Sequence, residues 1–146
     1  MPYIILALGS NIGNKEENIE KAYDELNRIG IETVAKSSVH ITPAYGVTDQ
    51  ADFANSVILG KTDFSPEELL KKLKETEILL GRYKTFRWGP RVIDIDIIFY
   101  DNILYESDTL IIPHKDYKNR SFVLNPMEEI KDQILNTNLH IFKSEI

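Results

Sequence analysis

Cysteine is absent from the chain, which excludes a disulfide framework, a thiolate metal site and a cysteine nucleophile. Positive charge is in short supply. The 17 lysines and arginines face 23 aspartates and glutamates, for a net charge of -6. General nucleic-acid binding needs the opposite balance, because it displaces counterions with a net basic surface. Long apolar runs are missing as well: Tyr3 to Leu8 is too short to span a bilayer and lacks the basic start and cleavage region of a secretory signal. That run reads as a buried strand, and a cytoplasmic protein with no membrane or nucleic-acid partner is expected. There is no repeat, linker or low-complexity tract. What the chain does have is 146 residues, 42% of them hydrophobic, enough for one core, so a single domain over residues 1–146 is expected, acting as a monomer.

Local signals divide the chain into alternating elements. Asn14 offers a side-chain oxygen to cap a helix, Glu17 follows three residues on, and Ile19, Ala22, Tyr23, Leu26 and Ile29 recur at helical spacing up to Gly30. Ser65, Pro66, Glu67 and Glu68 form a second helix start, with a capping hydroxyl, a proline suited to the first turn and two acids opposing the dipole. That helix should run to about Gly81. Strand character appears over Ile31 to Ile41, Phe53 to Lys61 and Val92 to Tyr100, with a short further strand near Ile103 to Tyr105. A turn-rich stretch occupies Thr42 to Asp52, and the segment from Glu128 reads as helix or coil. The order of elements predicts an α+β fold: an antiparallel sheet with helices on its faces, ferredoxin-like or an elaboration of it.

Two adjacent segments carry chemistry. In Ile93-Asp94-Ile95-Asp96-Ile97 the period of two puts both carboxylates on one face of a strand, about 7 Å apart along the backbone, and the isoleucines on the other. Two like charges on one face repel and aspartate is unfavourable in strands, so the pair fits either a cation site or a solvated outer face. Magnesium takes such hard oxygen ligands and keeps water and phosphate oxygens as the rest of its shell. Immediately before the strand, Gly81 to Ile93 contains Arg82, Lys84, Arg87 and Arg91 and no acid. Guanidinium forks and a lysine point charge are suited to a triphosphate, and Phe86, Trp88, Gly89 and Pro90 complete the loop. Acids beside bases in this order favour a phosphate and metal site over a merely charged surface loop. By contrast, Gly9-Ser10-Asn11-Ile12-Gly13-Asn14-Lys15 is not a P-loop, since its glycine spacing is wrong and Glu16 stands where the magnesium-binding hydroxyl belongs.

Arg87-Trp88-Gly89-Pro90-Arg91-Val92-Ile93-Asp94-Ile95-Asp96-Ile97-Ile98 resembles, without a gap, the defining motif of the hydroxymethyldihydropterin pyrophosphokinases. The resemblance extends through Ala7-Leu8-Gly9-Ser10-Asn11, Thr42-Pro43, Phe53-Ala54-Asn55, Pro113-His114 and Lys118-Asn119-Arg120-Ser121-Phe122, in the family's order. It implies that Asp94 and Asp96 hold two magnesium ions and that Arg82 and Arg91 contact phosphate. It further implies that the catalytic loop around Lys84, Arg87 and Trp88 closes over ATP, and that Glu77, Ile97, His114 and Arg120 complete the ATP site. Phe53, Asn55 and Phe122, with the Thr42, Pro43, Ala44 and Tyr45 turn, are implied to hold the pterin. These residue types suit a flat heterocycle edged with donors and acceptors. Phe53 stands where many relatives have tyrosine, which preserves stacking and removes a hydroxyl; Lys115 likewise replaces a common tyrosine. Glu77 lies on the apolar stripe of its helix, which fits either a partner at its buried end, ATP or a basic loop residue, or an edge residue that reaches out to water.

The implied reaction is attack by the pterin hydroxymethyl oxygen on the β-phosphorus of ATP, with AMP leaving, in folate synthesis. A nucleotide-dependent transferase with another acceptor and a non-enzymatic anion-binding module are the competing readings; AMP release and pterin dependence separate the first, and turnover the second.

Overall fold

The structure, a computed structural model, describes residues 1–42, 52–81 and 92–141. Its elements run β1 (Tyr3–Ser10), α1 (Lys15–Arg28), β2 (Glu32–Lys36), β3 (His40–Thr42), β4 (Phe53–Lys61), α2 (Pro66–Leu79) and β5 (Asp94–Tyr100). They continue with β6 (Tyr105–Glu106), β7 (Ile111–Ile112), a short 3-10 turn at Tyr117–Asn119, α3 (Ser121–Glu129) and α4 (Lys131–Leu135).

The helix starts follow from the caps read in the sequence. Asn14 accepts the Glu17 amide at the start of α1, and Ser65 and Glu68 exchange both hydrogen bonds of a capping box at the start of α2, each satisfying backbone donors that the helix itself leaves unpaired. The main sheet has the order β2-β4-β1-β5, with β3 following β2 along the outer side of β4. Every pairing is antiparallel, so the ferredoxin-like expectation holds. The 31–41 stretch differs from the single strand expected there: it is divided into β2 and β3. Ser37, between them, is buried; its amide bonds to the Val57 carbonyl and its hydroxyl accepts the Val57 amide.

Two apolar layers share this sheet. Ile4, Leu6 and Leu8 of β1 pack with Ile19, Leu26, Leu69 and Leu73 of the two helices on one face. Ile5 joins Val57, Leu59 and Phe99 beneath Val123, Met127, Ile130 and Ile134 on the other. The second layer is the elaboration of the simpler fold, and the helix-or-coil segment from Glu128 contributes to it: it holds the end of α3, then α4, then the buried Leu139. The short strand expected near Tyr105 does not join the main sheet. It pairs with β7 as a separate hairpin. Among the described residues, no helix is long and apolar enough to cross a membrane.

Candidate active site

The alternation of β5 works as its sequence requires. Ile93, Ile95 and Ile97 are buried among the helices, while Asp94 and Asp96 are partly buried on the opposite face. The register then fixes their neighbours: Asp94 lies opposite Gly9, which lies opposite Asn55, and Asp96 lies opposite Ala7, which lies opposite Val57. Directly opposed residues share a face. Asp94, Gly9 and Asn55 therefore form one row across three strands, and Phe53, two residues before Asn55, lies on the same face. This is the face carrying α3.

Gly9 makes that row possible. A Cβ there would stand 3.2 Å from Asn55 Oδ1 and 3.8 Å from a ring carbon of Phe53, so the missing side chain lets both lean over β1. Asn55 is only 5% exposed and donates through Nδ2 to Thr42 Oγ1 at 2.7 Å. One amide hydrogen is thereby used, and the orientation of the amide is set. Asn18 donates to Ser10 Oγ and to the Ile12 carbonyl at 3.1 and 2.8 Å, which pins the turn after Gly9 to α1.

Behind the acids, Glu77 is 1% exposed. Its carboxylate accepts the Ile95 amide at 2.7 Å and lies 3.4 Å from Lys74 Nζ. β5 is the edge of the main sheet, and Ile95 is the residue between the two aspartates. Glu77 thus occupies an outward donor of the edge strand and holds the acidic pair from behind; the partners described for its buried end are a backbone amide and a lysine of its own helix. On the same edge, the His114 amide donates to the Ile98 carbonyl at 3.0 Å.

His114 Nδ1 accepts the Asp116 amide at 3.2 Å, so the neutral ring carries its proton on Nε2. Burial pushes its pKa below the ordinary value, helped by the positive charge of Arg120 and opposed by the negative charge of Asp96. The histidine is therefore neutral at pH 7. Arg120 itself lies over the Phe122 ring, 5.6 Å from its centroid, and Phe122 is partly buried against the second apolar layer.

Along the edge of β5 runs a pocket of about 300 Å³. Leu70 and Lys74 of α2 form one wall, residues 107–111 of the β6–β7 hairpin another, and residues 95–97 of β5 with His114 and Lys115 complete it. The structure thus sets Asp94 in the row of Asn55, pairs Phe53 with Thr42 beside that row, and gathers Asp96, Ile97 and His114 around the pocket, with Arg120 near enough to His114 to act on it by its charge. Among the described residues no group of three or more His, Cys, Asp or Glu side chains could hold a metal ion. Paired carboxylates alone match magnesium, which leaves the rest of its shell to water and phosphate oxygens. Arg82, Lys84, Arg87, Trp88 and Arg91, and Pro43, Ala44 and Tyr45, lie outside the described residues. The sequence reading missed Thr42 as the hydrogen-bond partner of Asn55 and the hairpin as a wall of the pocket. Alternation in Phe53-Ala54-Asn55 puts Phe53 and Asn55 on one face but names no partner on another strand, and nothing local pointed to the hairpin.

Residues 5–132 match the family described as 7,8-dihydro-6-hydroxymethylpterin-pyrophosphokinase. The chain is 40% identical over 131 residues to a 2-amino-4-hydroxy-6-hydroxymethyldihydropteridine pyrophosphokinase of Methylorubrum extorquens, covering 89% of this chain and 83% of the relative. It is 42% identical over 127 residues to a mitochondrial folate synthesis bifunctional protein of Arabidopsis thaliana, where it spans 87% of itself and only 23% of the relative. In structure it is similar to the Plasmodium falciparum HPPK-DHPS, with a TM-score of 0.66 at 16% identity, covering 89% of this chain and 40% of that one.

Proposed function

The chain belongs to the 7,8-dihydro-6-hydroxymethylpterin-pyrophosphokinase family, and from that premise we infer that it transfers pyrophosphate from ATP to the hydroxymethyl group of 6-hydroxymethyl-7,8-dihydropterin in folate synthesis. The hydroxymethyl oxygen forms a bond to the β-phosphorus, the bond from that phosphorus to the oxygen bridging to the α-phosphorus breaks, AMP leaves, and the alcohol proton passes to solvent. The observation that carries this reading is the placement of the acidic pair: Asp94 lies in one row with Gly9 and Asn55, while Asp96 lines the pocket at the sheet edge. An acceptor held at Asn55 and a nucleotide held in the pocket then meet at the carboxylates.

Phe53 and Phe122 supply aromatic faces for the pterin, and the remaining donor and acceptor of Asn55 read its edge. Leu70 and Ile97 supply apolar walls for the base and sugar, with Lys115 and Lys74 beside them. His114, neutral and protonated on Nε2, donates a hydrogen bond to a phosphate oxygen rather than acting as a base. Arg120, Arg82 and Arg91 offset phosphate charge, and Lys84, Arg87 and Trp88 complete the catalytic loop. Asp94 and Asp96 hold two magnesium ions, which supply charge neutralisation and alignment of the triphosphate when bound. Positioning and charge stabilisation carry most of the rate in such transfers.

Incubating the purified chain with ATP, magnesium and the reduced pterin, and identifying the nucleotide product, tests the reading. AMP formed in step with pterin diphosphate is expected. ADP, or nucleotide turnover that ignores the pterin, overturns it.

A further inference from the structure

Glu67 stands in the first turn of α2, where the sequence explains it as an acid opposing the helix dipole. Its contacts give it another task. One carboxylate oxygen accepts the Thr109 hydroxyl at 2.7 Å; the other accepts Tyr105 at 2.9 Å and Ser107 at 3.2 Å. All three hydroxyls belong to the β6–β7 hairpin, and they hold the carboxyl below its usual pKa, Thr109 contributing most. Ser107 Oγ in turn accepts the Thr109 and Leu110 amides, each at 3.2 Å, so the bonds that reach Glu67 also shape the hairpin turn.

Leu110 and Ile112 anchor the base of the hairpin in the first apolar layer, with Tyr105 packed against it, but its own pairing is slight and its turn is exposed at Asp108 and Thr109. The hairpin consists of two pairs of residues outside the main sheet, and a two-stranded ribbon of that size is not stable by itself. Its turn nevertheless forms one wall of the nucleotide pocket, opposite Leu70 and Lys74. Glu67, Leu70 and Lys74 follow at spacings of three and four, which puts them on one stripe of α2. The residue that grips the hairpin and the residues that form the facing wall are therefore successive steps of the same helix face.

We propose that Glu67 is a positioning residue for ATP: by gathering the hydroxyls of Tyr105, Ser107 and Thr109 it sets the width of the nucleotide pocket. It touches neither substrate, and its effect reaches the nucleotide through the hairpin. The proposal rests on the reading of that pocket as the ATP site. A mere surface ion pair or helix-dipole contact would stabilise the fold without favouring one substrate over the other.

The test is equilibrium titration of the full chain, separately with a non-hydrolysable ATP analogue plus magnesium and with the reduced pterin. Glu67→Ala should weaken analogue binding about tenfold, the loss expected for a charge-assisted contact, and leave pterin binding within about twofold. Thr109→Val, at an exposed position with no core contact, should weaken the analogue in the same direction and remain folded if Glu67→Ala does not. The double variant should be no weaker than Glu67→Ala, because both changes break one linkage. Analogue binding unchanged in both single variants, equal weakening of both ligands, or full additivity overturns the positioning role. If the unaltered chain binds no analogue, the assignment of the pocket fails, and the positioning role fails with it, an outcome distinct from the others.

Discussion

Replacing either carboxylate of the acidic strand by its amide keeps the shape and removes the charge, so Asp94→Asn and Asp96→Asn separate metal binding from folding. Neither side chain belongs to an apolar layer, and the isoleucines that anchor the strand face the other way. AMP formation should fall by at least about a hundredfold in each variant, the scale on which removing one preorganised electrostatic group acts, while far-UV circular dichroism stays unchanged. Near-normal turnover in either variant at ordinary magnesium removes the metal assignment. Gly9 offers the complementary probe on the pterin side. In Gly9→Ala the new methyl meets Asn55 Oδ1 at 3.2 Å, closer than a comfortable contact, and Asn55 is tied to Thr42 and has little room to yield. The change should raise the KM for the pterin several-fold, of the order expected for about 1 kcal/mol of misplacement, with the KM for ATP nearly unchanged. A rise in both constants would place Gly9 in the fold rather than at the acceptor.

At the scale of elements, the attachment of α3 to β3 is the most testable. Glu129, at the end of α3, accepts the Ser38 amide at 2.6 Å and hydroxyl at 2.7 Å, and lies 2.8 Å from His40 Nε2. His40 is opposite Asn55 in the register and Thr42 opposite Phe53, so one carboxylate fixes the strand that borders the acceptor residues. The Ser38 bonds, with His40 adding to them, lower the Glu129 pKa from 4.5 to about 2. A depressed carboxyl pKa means that the unfolded chain binds protons more readily, so the stabilisation is complete above pH 4.5 and is lost as pH falls from there toward 2. With the side chain 38% exposed, solvent screening reduces the contribution to about 1 kcal/mol. Glu129→Gln should lower the unfolding free energy by that amount at pH 7, seen as a lower urea midpoint, and flatten its dependence on pH below 4.5; an unchanged slope in that range excludes Glu129 as its source. This attachment also shows where sequence reading stops. The caps at Asn14 and Ser65 and the alternation in β5 are local, and the residues concerned lie close in the chain. Glu129 meets Ser38 across 91 positions, and Glu67 meets Thr109 across 42; no periodicity records such pairs. α3 itself was hidden by Pro126 inside it and by a start at Arg120 without a side-chain cap. The buried partner of Glu77 was legible as one of two readings of an acid on an apolar stripe, and not as an identity.

For the molecule as a whole, the question is whether two apolar layers make one folding unit. Leu26 lies in the layer under α1 and α2, and Leu139 in the layer beneath α3 and α4. Each is fully buried. The layers sit back to back on the same strands: Ile4 and Leu6 of β1 face one, Ile5 between them faces the other, and β4 divides in the same way through Ile58 and Val57. A strand cannot lose its partners on one side while holding its register on the other, because the hydrogen bonds that define the register are common to both. Strands β1 and β4 lie at the centre of the sheet, so loosening either layer exposes the pairing on which the site row from Asp94 to Asn55 depends. We therefore propose one cooperative domain over the described residues, as chains of this size commonly form. Leu26→Ala and Leu139→Ala should each cost about 2 to 5 kcal/mol, the range for emptying a buried leucine site. Both should shift a single urea transition to lower concentration, with far-UV and near-UV circular dichroism still coincident. Should Leu139→Ala melt the α3 layer first, seen as an early near-UV change ahead of the loss of secondary structure, the two layers would be separate units. The pterin side of the site would then be able to loosen while the helix-packed layer stayed folded.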